Sequence, residues 1–269
     1  MVQQTARPMP QPRLLAVLLS FALAASLPAQ SVVHLTFDNP ADLAADSSGH
    51  GRHGRANGNP GAQGSGRAGG ALTLDGTSSI ELGAEAAGAL AGSFSVSLWV
   101  RTTQNPGAST DNAHQGAGLF FAPGLDNEST IPVSLTGSVA GIGATQATIH
   151  SQSPINHGEW VNVVVTHDAA EGLTSLFVNG NLEASAHASP RAQAVHNLLL
   201  LGANPGNGLG LQGELDDFQL YDRVIPASAV AYLHANPGSA LLAVPEPSTW
   251  ILLGTGIAAL ALVSRRRRT

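Results

Sequence analysis

Glu214 and Asp216 stand two residues apart in Glu214-Leu215-Asp216-Asp217-Phe218-Gln219, a run that reads as a β-strand. Alternate residues of a strand face one way, so the two carboxyls share a face. Two carboxyls on one face of a strand are a pairing that general acid–base chemistry uses. A second set of oxygens comes from Asp38, Asp46 and Asp217, with Ser48 as a further donor. Calcium takes about six to eight oxygens from carboxylates, carbonyls and water. The Asp46-Ser47-Ser48-Gly49 loop offers flexible carbonyls beside a carboxylate, which makes this set the calcium candidate. The alternative is that Asp46 and the serines hold a turn through side-chain-to-backbone bonds.

Other chemistries find less support. His50 and His53 are three apart, but they lie in a Gly-rich loop where spacing does not aim two rings at one ion. No His-Glu-x-x-His, phosphate-binding Gly loop or Gly-x-Ser-x-Gly occurs. Ser and Asp are plentiful, yet nothing selects a triad. The chain has no Cys, which excludes thiolate zinc sites and Cys nucleophiles. Trp99 and Trp160 fall in strand-like runs and read as core rather than as sugar platforms. No catalytic residue is assigned.

All twelve basic residues are Arg, and six of them lie in the terminal segments. Between Ser31 and Val244 six Arg face seventeen Asp and Glu, a balance of −11. Proteins bind nucleic acid by neutralising phosphate charge, so a body of this sign excludes it as a partner. A charge of this size on an exported domain also serves solubility.

The elements that must position these residues lie between two targeting ends. Arg7 and Arg13 precede the apolar run Leu14 to Leu27, and a small-residue stretch follows, so residues 1–30 read as a signal peptide cleaved near Ala29 to Ser31. Residues 31–238 read as one domain and 239–244 as a linker. The tail, 245–269, opens with Pro245-Glu246-Pro247, continues as a membrane-spanning-like apolar stretch at 249–263, and ends in Arg265, Arg266, Arg267 and Arg268. Prolines keep the backbone extended and accessible to a protease. The arginines stay cytoplasmic under the positive-inside rule.

In the domain, Ser93 to Arg101 alternates strictly and predicts a half-buried antiparallel strand. Trp160 to Thr166 is a continuous β-branched run suited to a strand covered on both faces. Ser175 to Val178 and Leu182 to Ala186 flank Asn179-Gly180, a hairpin signal. Leu198 to Leu201, Glu214 to Tyr221, Val32 to Phe37 and Ala71 to Leu74 predict further strands, and Pro226 to His234 a single short helix. The stretches Gly54 to Gly70 and Gln104 to Asn127 lack periodicity and read as surface loops. The fold class is all-β, a sandwich or jelly roll.

Seven blocks then appear in order. They are His34-Leu-Thr-Phe-Asp38, Asp46-Ser-Ser-Gly-His-Gly-Arg-His-Gly54, Leu72-Thr-Leu-Asp-Gly76, Ser93-Phe-Ser-Val-Ser-Leu-Trp-Val-Arg-Thr102, Glu159-Trp-Val-Asn-Val163, Leu176-Phe-Val-Asn-Gly180 and Gly213-Glu-Leu-Asp-Asp-Phe-Gln-Leu-Tyr-Asp-Arg223. Together they resemble the laminin-G-like group of concanavalin A-like lectin/glucanase domains, over about Val32 to Leu233. The resemblance implies a jelly roll of two curved antiparallel sheets, a recognition role toward sugars, proteins or matrix, and frequent calcium dependence. Related β-glucanases carry Glu-x-Asp-x-x-Glu on one strand. Here Glu214 and Asp216 match, but the third position is Gln219, an amide that cannot donate a proton as a general acid. The tail resembles the PEP-CTERM sorting signal, which implies processing by an exosortase in Gram-negative bacteria that make exopolysaccharide, with an inner-membrane stage before processing. The expectation is an exported, non-catalytic carbohydrate-binding or adhesion domain at the cell surface or in the polysaccharide matrix. The alternatives are a passive structural matrix protein and a degenerate glycoside hydrolase.

Overall fold

The computed structural model describes residues 31–107, 112–124, 130–144, 147–187 and 196–241. The strands are β1 Val33–Leu35, β2 Arg55–Asn57, β3 Gly61–Gln63, β4 Ala71–Asp75, β5 Ser79–Leu82, β6 Phe94–Arg101, β7 Ala117–Ala122, β8 Ile131–Thr136, β9 Val139–Ala144, β10 Ala147–Pro154, β11 Val161–Asp168, β12 Leu173–Val178, β13 Asn181–His187, β14 Leu199–Leu201 and β15 Gln212–Tyr221. The described α-helices are α1, Ala84–Ala87, and α2, Ala227–Ala235. One sheet runs β13-β12-β11-β6-β15-β4-β3, with β1 also paired to β15. The other runs β10-β9-β8-β7-β14-β5-β2. The strands pair antiparallel throughout both sheets.

The core lies between the sheets. Phe94, Val96, Leu98 and Val100 of β6 cluster with Val161, Val163 and Val165 of β11 and with Leu215, Phe218 and Leu220 of β15. Leu119, Phe120, Val133, Leu199 and Leu201 close the cluster from the second sheet. Each such side chain, fully buried, stabilises the fold by about 1.5–3 kcal/mol. The Asn179-Gly180 hairpin forms as its sequence predicts, with φ of 49° and 80° at the two turn residues.

Three expectations are corrected. β6 is not half-buried: Ser95, Ser97 and Trp99, on its outer face, are as buried as its apolar residues. The cover is the chain after β15. Ser95 Oγ donates to the Arg223 carbonyl at 2.8 Å and accepts from Ile225 N at 3.0 Å, which leads the chain into α2. There Val230 and Leu233 pack with Val164, Phe177, Tyr221 and Ile225 in a second apolar cluster. The stretch 54–70 is not all loop, because β2 and β3 are edge strands within it. The stretch 104–127 contains β7, buried along its whole length.

β15 carries a bulge. Asp216 opposes Trp99 and Gln219 opposes Ser97, so two residues of β15 face the single Leu98 of β6. Asp217 takes up the extra residue with φ 49°. A bulge re-aims side chains, and here it turns both Asp216 and Gln219 to the outer face while Phe218 enters the core.

Candidate functional site

Along the bulge the polar side chains of β15 bind one another and the segment after α2. His34 Nε2 lies 2.6 Å from Asp217 Oδ1, and both side chains are buried. Gln219 Nε2 donates to the same Asp217 oxygen at 2.8 Å and to the Ser239 carbonyl at 3.1 Å. Gly238 N donates to Asp217 Oδ2 at 2.8 Å. Tyr221 donates its hydroxyl proton to Gln219 Oε1, and burial pushes its phenol well above the ordinary range. Asp216 accepts from Ala68 N at 2.9 Å and from Asp217 N at 2.7 Å. These bonds fasten residues 238–241 to the outer face, so the sandwich's contacts run on through Leu241.

The carboxyl pair of the sequence is accordingly occupied. Glu214 is ion-paired with Arg101, which has its pKa raised by that contact. Asp216 is fully buried, and desolvation pushes its carboxyl up to about 7 against the backbone N–H groups that hold it down. A raised carboxyl pKa means the unfolded chain loses its proton first, so stability falls as pH rises through roughly 4 to 7. Asp216→Asn should therefore gain melting temperature relative to the parent as pH is raised from 5 to 7. Parallel scans by circular dichroism check it. A constant difference across that window would show that Asp216 is ionised throughout.

The proposed calcium ligands divide between separate tasks. Asp46 Oδ1 accepts from His34 N at 3.0 Å and Ser48 N at 2.9 Å, while Oδ2 accepts from Ser48 Oγ at 2.8 Å and Arg52 N at 2.9 Å. Burial pushes its pKa up, but those donors outweigh it and hold it below the usual value. Asp38 Oδ1 accepts from Gly70 N at 2.6 Å, and Asp217 belongs to the bulge network. His53 Nδ1 accepts from Asp46 N, so this histidine braces the same turn. Among the described residues no group of three or more His, Asp or Glu side chains is arranged for a metal. Calcium held at 100 times its dissociation constant would add about 2.7 kcal/mol, a shift of several degrees. With both oxygens of Asp46 and of Asp217 already held by N–H and O–H donors, the expected result is a melting temperature unchanged by chelator. A fall on chelation would support the calcium assignment.

The concavity lies elsewhere on the same outer face. A pocket of about 320 Å³ is lined by Arg67, Trp99, Glu159, Trp160, Asn179 and His234. Trp99 comes from the end of β6, Asn179 from the hairpin turn, Glu159 and Trp160 from the approach to β11, and His234 from the last turn of α2. The Trp99 and His234 rings stack at 5.4 Å and 22°. Arg67 stands over Trp99 with Cζ 4.6 Å from the ring centre, and Arg101 stands over Trp160 at 4.8 Å. Burial, with Arg67 nearby, lowers the His234 pKa. Two buried polar atoms of this site, Trp99 Nε1 and His234 Nδ1, have no hydrogen-bond partner. Sequence reasoning assigned both tryptophans to the core. Trp99 is 2% exposed, yet it and Trp160 are walls of the pocket. Arg67 and His234 carried no sequence signal, because only the docking of α2 brings them together. Pro245, Glu246, Pro247 and Arg265 to Arg268 lie outside the described residues.

Two bulged antiparallel sheets enclosing one core, with a recess on the outer face of one of them, define a lectin-like sandwich. Residues 74–231 match the model of the concanavalin A-like lectin/glucanases superfamily in its laminin-G form, and the chain belongs to that family. Residues 243–268 match the PEP-CTERM protein-sorting motif, which marks a chain for exosortase processing, export and sorting to the envelope or surface. No curated protein matches the chain. Among solved structures, domain 4 of AbnA, an extracellular arabinanase from Geobacillus stearothermophilus solved in complex with arabinotriose, superposes with TM-score 0.61 and 24% identity over 77% of this chain and 99% of that domain. The binding domain of botulinum neurotoxin DC, solved with rat synaptotagmin II, gives TM-score 0.55 and 14% identity over 77% of this chain. That of Paraclostridial Mosquitocidal Protein 1 gives 0.55 and 18% over 76%. The chain spans about half the length of these toxin domains.

Proposed function

We propose that the protein is an exported, exosortase-sorted surface protein of a Gram-negative bacterium whose sandwich binds a saccharide of the cell envelope or surrounding polysaccharide matrix without cleaving it. The observation that carries the reading is the Trp99 N–H, buried and unpartnered in the wall of a pocket that also presents the half-buried Trp160. An unpaired buried donor costs about 1–3 kcal/mol, which a ligand oxygen recovers once a side-chain shift opens the N–H to the pocket. The half-buried Trp160 ring takes the apolar side of a sugar ring, while Asn179, Glu159 and His234 offer partners for its hydroxyls. The volume is at the small end of ligand sites, suited to one or two sugar rings. The arabinotriose complex of the AbnA domain supports a saccharide ligand. The non-catalytic assignment rests on Glu214 and Asp216: one is held by Arg101, the other is sealed under backbone donors. Before processing, the tail holds the protein at the inner membrane, and exosortase is its first partner.

The test is a glycan array probed with the full-length protein, extended to polysaccharide from the producing strain. Binding is expected, and Trp160→Ala should weaken it about tenfold or more, which is 1.4 kcal/mol. Absence of any glycan bound above the control would overturn the reading, as would release of sugar from the bound glycan.

A further inference from the structure

We infer that the pocket recognises a carboxylate-bearing saccharide and that Arg67 reads its charge; the inference rests on the saccharide-binding reading above. Five arginines of the domain are described, and four are engaged. Arg52 Nη1 donates to the Val32 carbonyl at 2.9 Å, Arg55 pairs with Glu81 at 3.2 Å, Arg101 with Glu214, and Arg223 with Asp222 at 3.0 Å. Arg67 is exposed and has no ion pair among the described residues. Its guanidinium rests on the Trp99 face, which leaves the N–H fork open at the pocket.

The neighbouring unpartnered atom sharpens the argument. An indole N–H only donates, and so does a guanidinium. Arg67 therefore demands an acceptor at the pocket, and Trp99 Nε1 takes one where a side-chain shift uncovers it; a neutral hydroxyl supplies one such bond at a time. A carboxylate is acceptor-only and planar, and it engages an Arg fork through two parallel bonds. His234 Nδ1 adds a third group that is able to donate. Glu159 opposes an anion, but it is exposed at the rim and its charge also acts on Arg101, across the pocket's Trp160 side. Arg67 is thus the charge of the site left without a counter-charge.

The experiment titrates the full-length protein in detergent micelles with oligosaccharides of galacturonic, glucuronic and mannuronic acid, each beside its carboxyl-reduced neutral counterpart. Tryptophan fluorescence and calorimetry supply the readouts. At least one acidic member should bind tenfold or more tightly than its neutral partner. Arg67→Gln should abolish that preference, so that the acidic and neutral members of each pair bind within about twofold of one another, since each tenfold change is 1.4 kcal/mol. Arg67→Lys should retain charge attraction but lose most of the gain of the fork. Equal binding within every pair, or tighter binding of a sulfated oligosaccharide than of any uronate, would overturn the inference and leave saccharide binding standing. No binding by any array glycan would instead remove the saccharide reading itself.

Discussion

Replacing Asp217 by Ala should lower stability by about 3–5 kcal/mol, because each buried donor left without its acceptor costs about 1–3 kcal/mol. For a domain of this length that is a fall in melting temperature of roughly 6–20 °C. The carboxylate accepts hydrogen bonds from the His34 ring, the Gln219 amide and the Gly238 backbone, so its removal strips an acceptor from two buried donors and from one part-buried backbone N–H. Asp217 also holds φ 49°, a left-handed conformation that Asp and Asn tolerate better than Ala. Asp217→Asn keeps the backbone preference and one oxygen, so its loss should be clearly smaller, about 1–2 kcal/mol. Thermal melts of the two variants measure the difference. Ala and Asn substitutions of equal and small effect would show that the bulge is held by the strands alone.

The same residue shows what the sequence could and could not reveal. Asp217 stood out as an unusual acid beside Asp216, and a metal was the natural use for it together with Asp38 and Asp46. Its partners are His34, 183 positions away, and Gly238, which no spacing pattern connects to it. Strands whose patterning is local were legible: β6 by strict alternation, β11 by its β-branched run, and the β12 to β13 hairpin by Asn179-Gly180. β7 was not, because Gly118-Leu119-Phe120-Phe121 has no period when both faces are buried, and glycines depress strand signals. Gly118 serves close packing: a Cβ there would meet the Ala203 carbonyl oxygen at 2.1 Å. The short edge strands β2 and β3 have too few apolar residues to announce themselves. For the pocket, the two tryptophans were visible and their setting was not. A buried outer-face Trp99 looks like core until α2 is placed over the sheet, and the placement depends on the backbone path from Arg223 to Pro226.

That path carries the second large effect. A chain shortened to end at Arg223, beside one ending at Leu241, removes α2 and the segment fastened to Asp217 and Gln219. Ile225, Val230 and Leu233 are each at most 2% exposed, and their burial is worth about 5–8 kcal/mol together. Native domains hold only about 5–15 kcal/mol, so this loss consumes much or all of the margin. The cut also uncovers Val164, Phe177 and Tyr221 on the sheet's outer face, beside the edge strand β13 with its exposed Leu182. An apolar face next to an open edge favours pairing between chains. The shorter chain should therefore be recovered aggregated, or bind a hydrophobic dye strongly and melt without cooperativity. The longer one should melt cooperatively, because every bond to Gly238 and Ser239 remains. A shorter chain that stayed monomeric and melted within a few degrees of the longer one would show that α2 is an appendage. The pocket's His234 wall would then be dispensable to the fold, and ligand recognition could be lost without any loss of stability.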